Sequence, residues 1–195
     1  MIVVALGANL PSSAGPPRAT LKAALTRLRH FGIQPKRVSR LYASRALGAH
    51  AGPDFVNAVA LVETALKPQA LLHILHLIEA QFGRRRIYSR RFGPRTLDLD
   101  LIAYDDIIEK ARARAPKGGG GSKPFHLPHP EMAHRAFVLK PLSEIAPAWR
   151  HPENGLSAYA LWGALSPKHR RDVWLKKTVK AGDRGLKGGK ARKRF

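Results

Sequence analysis

Apolar and polar residues follow two different rhythms along the first hundred residues, and the changes of rhythm map the elements. Ile2 to Leu6 is a short β-rich apolar run, followed by the turn-prone Gly7-Ala8-Asn9 and a Ser/Gly/Pro segment, which predicts a strand and then a loop. Leu21, Ala24, Leu25, Leu28 and Phe31 recur at helical spacing, with Gly32 placed to end the helix. Val38 to Ala43 and Val56 to Val62 predict two strands, separated by LGAHAGPD, whose Gly and Pro interrupt regular structure. Pro68 suits the first turn of a second helix, with Leu71, Leu72, Leu75, Ile78 and Phe82 along one face. A strand from Thr96 to Tyr104 completes the order β-α-β-β-α-β. The expected fold class is therefore α+β: a ferredoxin-like βαββαβ core with additional C-terminal elements.

Composition sharpens this picture at three points. A chain of 195 residues with 44% hydrophobic composition has enough apolar material for one buried core. It contains no cysteine, which removes disulfides, thiolate metal sites and cysteine nucleophiles, and suits a cytoplasmic location. The opening apolar run is far too short to span a bilayer and has no basic segment ahead of it, so neither signal peptide nor membrane anchor is expected. The net charge of +22 points to polyanionic partners. Much of it is local: between Lys168 and Arg194 there are twelve Lys or Arg against the two acids Asp172 and Asp183. The expected division is a domain over 1–165, with a flexible Gly-rich insertion at about 111–123, and a basic tail over 166–195 without fixed structure. That tail is read as solubilising, with non-specific contact to RNA as its other use. The insertion, ARARAPKGGGGS, lacks the ending and the strand-to-helix context of a P-loop.

The richest chemistry lies in RRFGPRTLDLDLIAY, residues 90–104. In a strand, Asp98 and Asp100 project from one face and Leu97, Leu99 and Leu101 from the other. Asp is disfavoured in strands, so such a pair needs a solvated face or a compensating cation. Two hard carboxylates suit Mg²⁺, which completes its shell with water and phosphate oxygens; the same alternation also describes an ordinary amphipathic strand with a wet side. Arg84, Arg85, Arg86, Arg90, Arg91 and Arg95 precede the pair, in a loop punctuated by Gly83, Gly93 and Pro94. Arg grips phosphate through planar donors. An Arg-rich loop alone also suits a nucleic-acid backbone; the neighbouring carboxylates favour nucleoside triphosphate chemistry, though some nucleases combine the two features. His73, His76 and Glu79 fall at three-residue steps on the second helix, but zinc normally draws ligands from more than one segment, so they are not read as a metal site.

RFGPRTLDLDLI resembles the signature of the 6-hydroxymethyl-7,8-dihydropterin pyrophosphokinase family. The likeness extends to VVALGANL, LYASRALG, PDFVNAVALVET, IEAQFGRRR and LPHPEMAHRAFVLKPLSEIAP, which together cover about the first 150 residues. The resemblance implies an ATP-dependent diphosphokinase of folate biosynthesis. It would move the β,γ-diphosphate of MgATP to the hydroxymethyl group of 6-hydroxymethyl-7,8-dihydropterin and release AMP. It also implies two Mg²⁺ ions held by Asp98 and Asp100, and catalytic roles for Arg84, Arg95 and Asp100. On the ATP side it implies Glu79, Arg84, Arg86, Arg95, Leu101, His129 and Arg135, with Glu79 supporting the Arg loop. Around the pterin it implies Ser44, Leu47, Asn57 and the two flanking rings Phe55 and Phe137, residues that would otherwise read as core and strand-edge positions. The two ligand-bearing loops are expected to close over nucleotide. A monomer is expected. Departures from the family pattern are Phe92 where Trp is common, Arg45 where Pro is frequent, His76 where Gln is frequent, and one extra residue between Arg86 and Phe92. The alternative is a non-enzymatic RNA-binding protein using the Arg loop and basic tail, although the aromatic-rich strand motifs of RNA-binding sheets are absent.

Overall fold

The computed structural model describes residues 1–46, 52–84, 93–110 and 125–176. In chain order the elements are β1 (Ile2–Ala8), α1 (Pro17–His30), β2 (Gln34–Val38), β3 (Tyr42–Ser44), β4 (Phe55–Glu63), α2 (Pro68–Gln81) and β5 (Asp98–Tyr104). There follow β6 (Glu109–Lys110), β7 (His126–Leu127), a 3-10 turn at Met132–His134, α3 (Ala136–Ile145), α4 (Ala158–Ala164), α5 (Pro167–Arg171) and β8 (Val173–Leu175). The expected insertion lies outside the described residues, as do residues 177–195.

The main sheet runs β5-β1-β4-β3-β8, with β2 also on β4, and every pairing is antiparallel. This is the split βαβ arrangement expected from the element order. The single strand expected over Val38–Ala43 is instead two strands, because Ser39 interrupts it. Its backbone N–H donates to Val59 C=O at 2.9 Å, while its hydroxyl accepts from Val59 N–H at 3.0 Å. A side chain thus replaces the carbonyl that would have continued the ladder.

Helices cover both faces of the sheet. Val4, Leu6 and Ala8 of β1 pack with Leu21, Ala24 and Leu28 of α1 and Leu71, Leu75 and Ile78 of α2. Val3 and Ala5, alternating with them, pack with Val138, Leu139 and Leu142 of α3 and Leu161 of α4. This explains why β1 and β4 read as continuous apolar runs: central strands buried on both faces have no polar side to show. Each large side chain buried in this way contributes about 2 kcal/mol. The C-terminal helices are therefore a third layer on the second face of the core.

The expectation of a tail without fixed structure over 166–195 is also corrected, at its start. The first residues of the basic tail, from 166, form α5 and then β8, which adds to the outer edge of β3. High charge density masked a short apolar run, Val173-Trp174-Leu175, of which Val173 enters the second core. Among the described residues no helix is long and apolar enough to cross a membrane.

Candidate active site

The site forms where β4, β1 and β5 run side by side. Register places Asn57 opposite Gly7 and Gly7 opposite Asp98, so three adjacent strands present these residues in one row on one face. Gly7 is the gap in that row. A Cβ added there would lie 3.3 Å from Asn57 Oδ1, 3.8 Å from Asp98 Cβ and 3.8 Å from Phe55 Cδ1. Any side chain at position 7 would fill the space that these three groups share.

Asp98 is gripped by two guanidiniums, Arg84 on Oδ1 and Arg95 on Oδ2. Burial alone would raise its pKa, but the charges of Arg84 and Arg95 outweigh burial and hold it below the ordinary carboxylate range. Asp100 lies two residues along the same face, with Arg135 Nη1 3.6 Å from its Oδ2. Burial, and then the neighbouring charge of Asp98, push its pKa up to about 7; Arg135 offsets this only in part. The two carboxylates thus differ sharply in how well their charge is met.

Glu79, on the last turn of α2, reaches this cluster from the opposite face of the sheet and is 1% exposed. Its Oε1 accepts from Leu99 N–H at 2.8 Å and from the Arg84 guanidinium. It therefore caps an outward-facing N–H of edge strand β5 while aiming Arg84 at Asp98. His129 follows β7, and its backbone N–H donates to Ile102 C=O at 2.8 Å. Its Nδ1 accepts from Glu131 N–H at 3.1 Å, which leaves the ring proton on Nε2. Burial, followed by the charge of Arg135, pushes His129 down to about 4, so the ring is a neutral donor.

On the other side of Gly7, Asn57 is buried and donates through Nδ2 to Ser44 Oγ at 2.9 Å. That bond fixes the amide with Oδ1 toward the gap. Phe55 borders the gap, and Phe137 lies at the start of α3 with the Arg135 guanidinium 5.7 Å from its ring centroid. Leu101 is placed differently from the rest: its side chain is 4% exposed in the core on the opposite face, beside Val4. Alternation along β5 separates it from the aspartates, so its side chain serves packing. Leu47 and Arg86 lie outside the described residues, as do Phe92 and most of the two loops expected to close.

Asn9 belongs to this site although its motif suggested no more than a turn. It is 3% exposed just past β1. Its Oδ1 accepts from Arg95 N–H at 2.6 Å and its Nδ2 donates to Pro53 C=O at 2.9 Å. One amide thus ties the segment carrying Arg95 to the segment leading into Phe55. Gly52 seals the junction: its φ is +77°, and a Cβ there would come within 3.0 Å of Pro94. The signal available in the sequence was an Asn directly after a strand that is apolar on both faces.

Among the described residues no group of three or more His, Asp or Glu side chains converges as a metal cage. Glu79 of the His73-His76-Glu79 series is turned inward to Leu99 and Arg84, while His73 is exposed.

Fold and site together define a ferredoxin-like α+β protein with paired carboxylates set among arginines. The family model for 7,8-dihydro-6-hydroxymethylpterin-pyrophosphokinase matches residues 3–147. A 2-amino-4-hydroxy-6-hydroxymethyldihydropteridine pyrophosphokinase of Synechocystis is 42% identical over 155 residues, covering 78% of this chain and 70% of the relative. A protein of the same name from Haemophilus influenzae is 40% identical over 144 residues, covering 73% and 79% of the two chains. In fold, the chain is similar to the Plasmodium falciparum HPPK-DHPS structure with pteroate, with a TM-score of 0.62 at 13% identity. That match covers 83% of this chain and 43% of the larger one. The chain belongs to the 7,8-dihydro-6-hydroxymethylpterin-pyrophosphokinase family.

Proposed function

We infer that this chain transfers the β,γ-diphosphate of ATP to the hydroxymethyl group of 6-hydroxymethyl-7,8-dihydropterin, releasing AMP, in folate biosynthesis. The observation that carries the reading is the Gly7 gap, where Asn57, Phe55 and Asp98 come within van der Waals reach of one point. A heterocycle held by Asn57 there has its substituent directed along the row toward the carboxylates.

The residues divide the work. Asn57 Oδ1, fixed by Ser44, accepts from an N–H on the pterin edge, and the rings of Phe55 and Phe137 supply stacking surface. Arg84 and Arg95 grip the phosphates, with Arg135 and the neutral Nε2–H of His129 as further donors. The two carboxylates suit a hard divalent cation: Asp98 and Asp100 share one face of β5, and the Arg135 guanidinium nitrogen nearest Asp100 Oδ2 is 3.6 Å away. Asp98 and Asp100 would hold Mg²⁺, two ions in the family pattern. When bound, such ions neutralise phosphate charge and make a coordinated hydroxyl more acidic. In the transfer itself the pterin hydroxyl oxygen bonds to the β-phosphorus, and the bond from that phosphorus to the α,β-bridging oxygen breaks. AMP departs with the bridging oxygen, and the hydroxyl proton passes to an Asp100 carboxylate oxygen. Positioning supplies most of the rate.

The RNA-binding reading, which would use the Arg loop and basic tail, has no support in the comparisons. We place the catalytic unit in residues 1–176 and treat 177–195 as a basic tail, the whole acting as a cytoplasmic monomer. The test is AMP release from MgATP with and without 6-hydroxymethyl-7,8-dihydropterin. Pterin-dependent AMP is expected, falling on the order of a hundredfold or more in Asp98→Ala. ADP as the product, or undiminished turnover by Asp98→Ala, would overturn the assignment.

A further inference from the structure

β3 is only three residues long, yet it carries Ser44, the hydroxyl that orients Asn57. One of its edges lies on β4; the other lies on β8, with Tyr42 opposite Leu175, Ala43 opposite Trp174 and Ser44 opposite Val173. The pairing runs past both strand ends. Arg45 N–H donates to Asp172 C=O at 3.1 Å, and Lys176 N–H donates to Leu41 C=O at 2.9 Å. Hydrogen-bonded pairs alternate along an antiparallel ladder, so these two pairs make Ala43 and Trp174 the hydrogen-bonded pair between them. Arg45 Nε also lies 3.6 Å from Asp172 Oδ1. Val173 anchors the segment in the second core beside Tyr42, whereas Trp174 is 41% exposed.

We propose that residues 172–176 form an outer rail that positions Ser44 and Arg45, and through Ser44 the Asn57 amide, for pterin recognition. The inference rests on the pterin reading of Ser44 and Asn57. A three-residue strand with one free edge frays readily, since nothing holds its outward N–H and C=O groups. If β3 shifts, Ser44 no longer holds Asn57 Nδ2, and the amide is free to turn its donor where its acceptor should be. Arg84, Arg95 and Asp98 lie across β1 from this edge and take their positions from α2, Asn9 and β5. The rail therefore acts on the pterin and leaves the nucleotide side unaffected. It also gives a partner to Arg45, one of the departures from the family pattern: the side chain pairs with Asp172.

The test uses the full chain. Trp174→Pro removes one ladder N–H at an exposed position, and its folding is checked by the unfolding midpoint. Pterin affinity is measured by calorimetry with a non-hydrolysable MgATP analogue present, alongside steady-state kinetics. Trp174→Pro is expected to weaken pterin binding on the order of tenfold, with KM for ATP and kcat within about twofold of the parent. Arg45→Ala and Asp172→Ala should each weaken it less, and the double variant should match the weaker-binding single one. A folded Trp174→Pro protein with unchanged pterin affinity, or with equal losses for pterin and ATP, overturns the rail. Should that variant not fold, the Arg45/Asp172 pair decides: unchanged pterin affinity in both single variants overturns it. A parent chain that binds no pterin overturns the functional reading along with the rail.

Discussion

Replacing Glu79 by Ala probes the junction between packing and chemistry. The side chain is 1% exposed and its Oε1 serves two donors, Leu99 N–H and the Arg84 guanidinium. Alanine leaves the Leu99 N–H without its acceptor, at about 1–3 kcal/mol for a buried donor. Stripping a buried ion pair of one partner costs about 3–5 kcal/mol. Arg84 keeps Asp98, however, so only part of that second cost applies. A total near 3 kcal/mol follows, which for a chain of this size is a fall of roughly 6–12 °C in Tm. Glu79→Gln keeps an oxygen for Leu99 but turns neutral toward Arg84, and should lose about half as much. Urea unfolding of the ligand-free protein measures both. If Glu79→Ala stays within about 0.5 kcal/mol of the parent, Glu79 is not the cap and tether described above.

Two further outcomes are expected. Asn9→Ala removes the acceptor for Arg95 N–H and the donor to Pro53 C=O, so kcat/KM should fall for both substrates, with about 2 kcal/mol lost in stability; kinetics unchanged within about twofold for either substrate would dismiss the tie between the two segments. His129 has a folded pKa lowered to about 4 from an ordinary value of 6.5, so the native state binds fewer protons than the unfolded chain between those values. Its contribution to stability is complete above pH 6.5 and is lost as pH falls toward 4; a urea-midpoint series over that range should slope less steeply in His129→Gln, and parallel slopes would contradict the burial of a neutral ring.

Much of this protein was legible from local pattern. The spacing of Leu21, Ala24 and Leu28, and of Leu71, Leu75 and Ile78, places two helices, because a 3.6-residue period is a property of the segment itself. The two-residue period likewise puts Asp98 and Asp100 on one face of β5 without reference to anything else in the chain. That same period set Leu101 on the opposite face, and the family likeness did not alter it.

Tertiary structure decided what lies across from what. Gly7 stands between Asn57 and Asp98 only because β4 and β5 flank β1 in one register, and a shift of one residue would turn Asn57 or Asp98 to the other face. Burial of the second sheet face depends on helices that come after the βαββαβ order is complete. Asn9 gains its role from segments distant in the chain, and the Val173–Leu175 run, hidden among basic residues, becomes a strand because β3 offers it an edge. Periodicity records how each segment faces its surroundings; which surroundings it meets is settled by the packing of the whole chain.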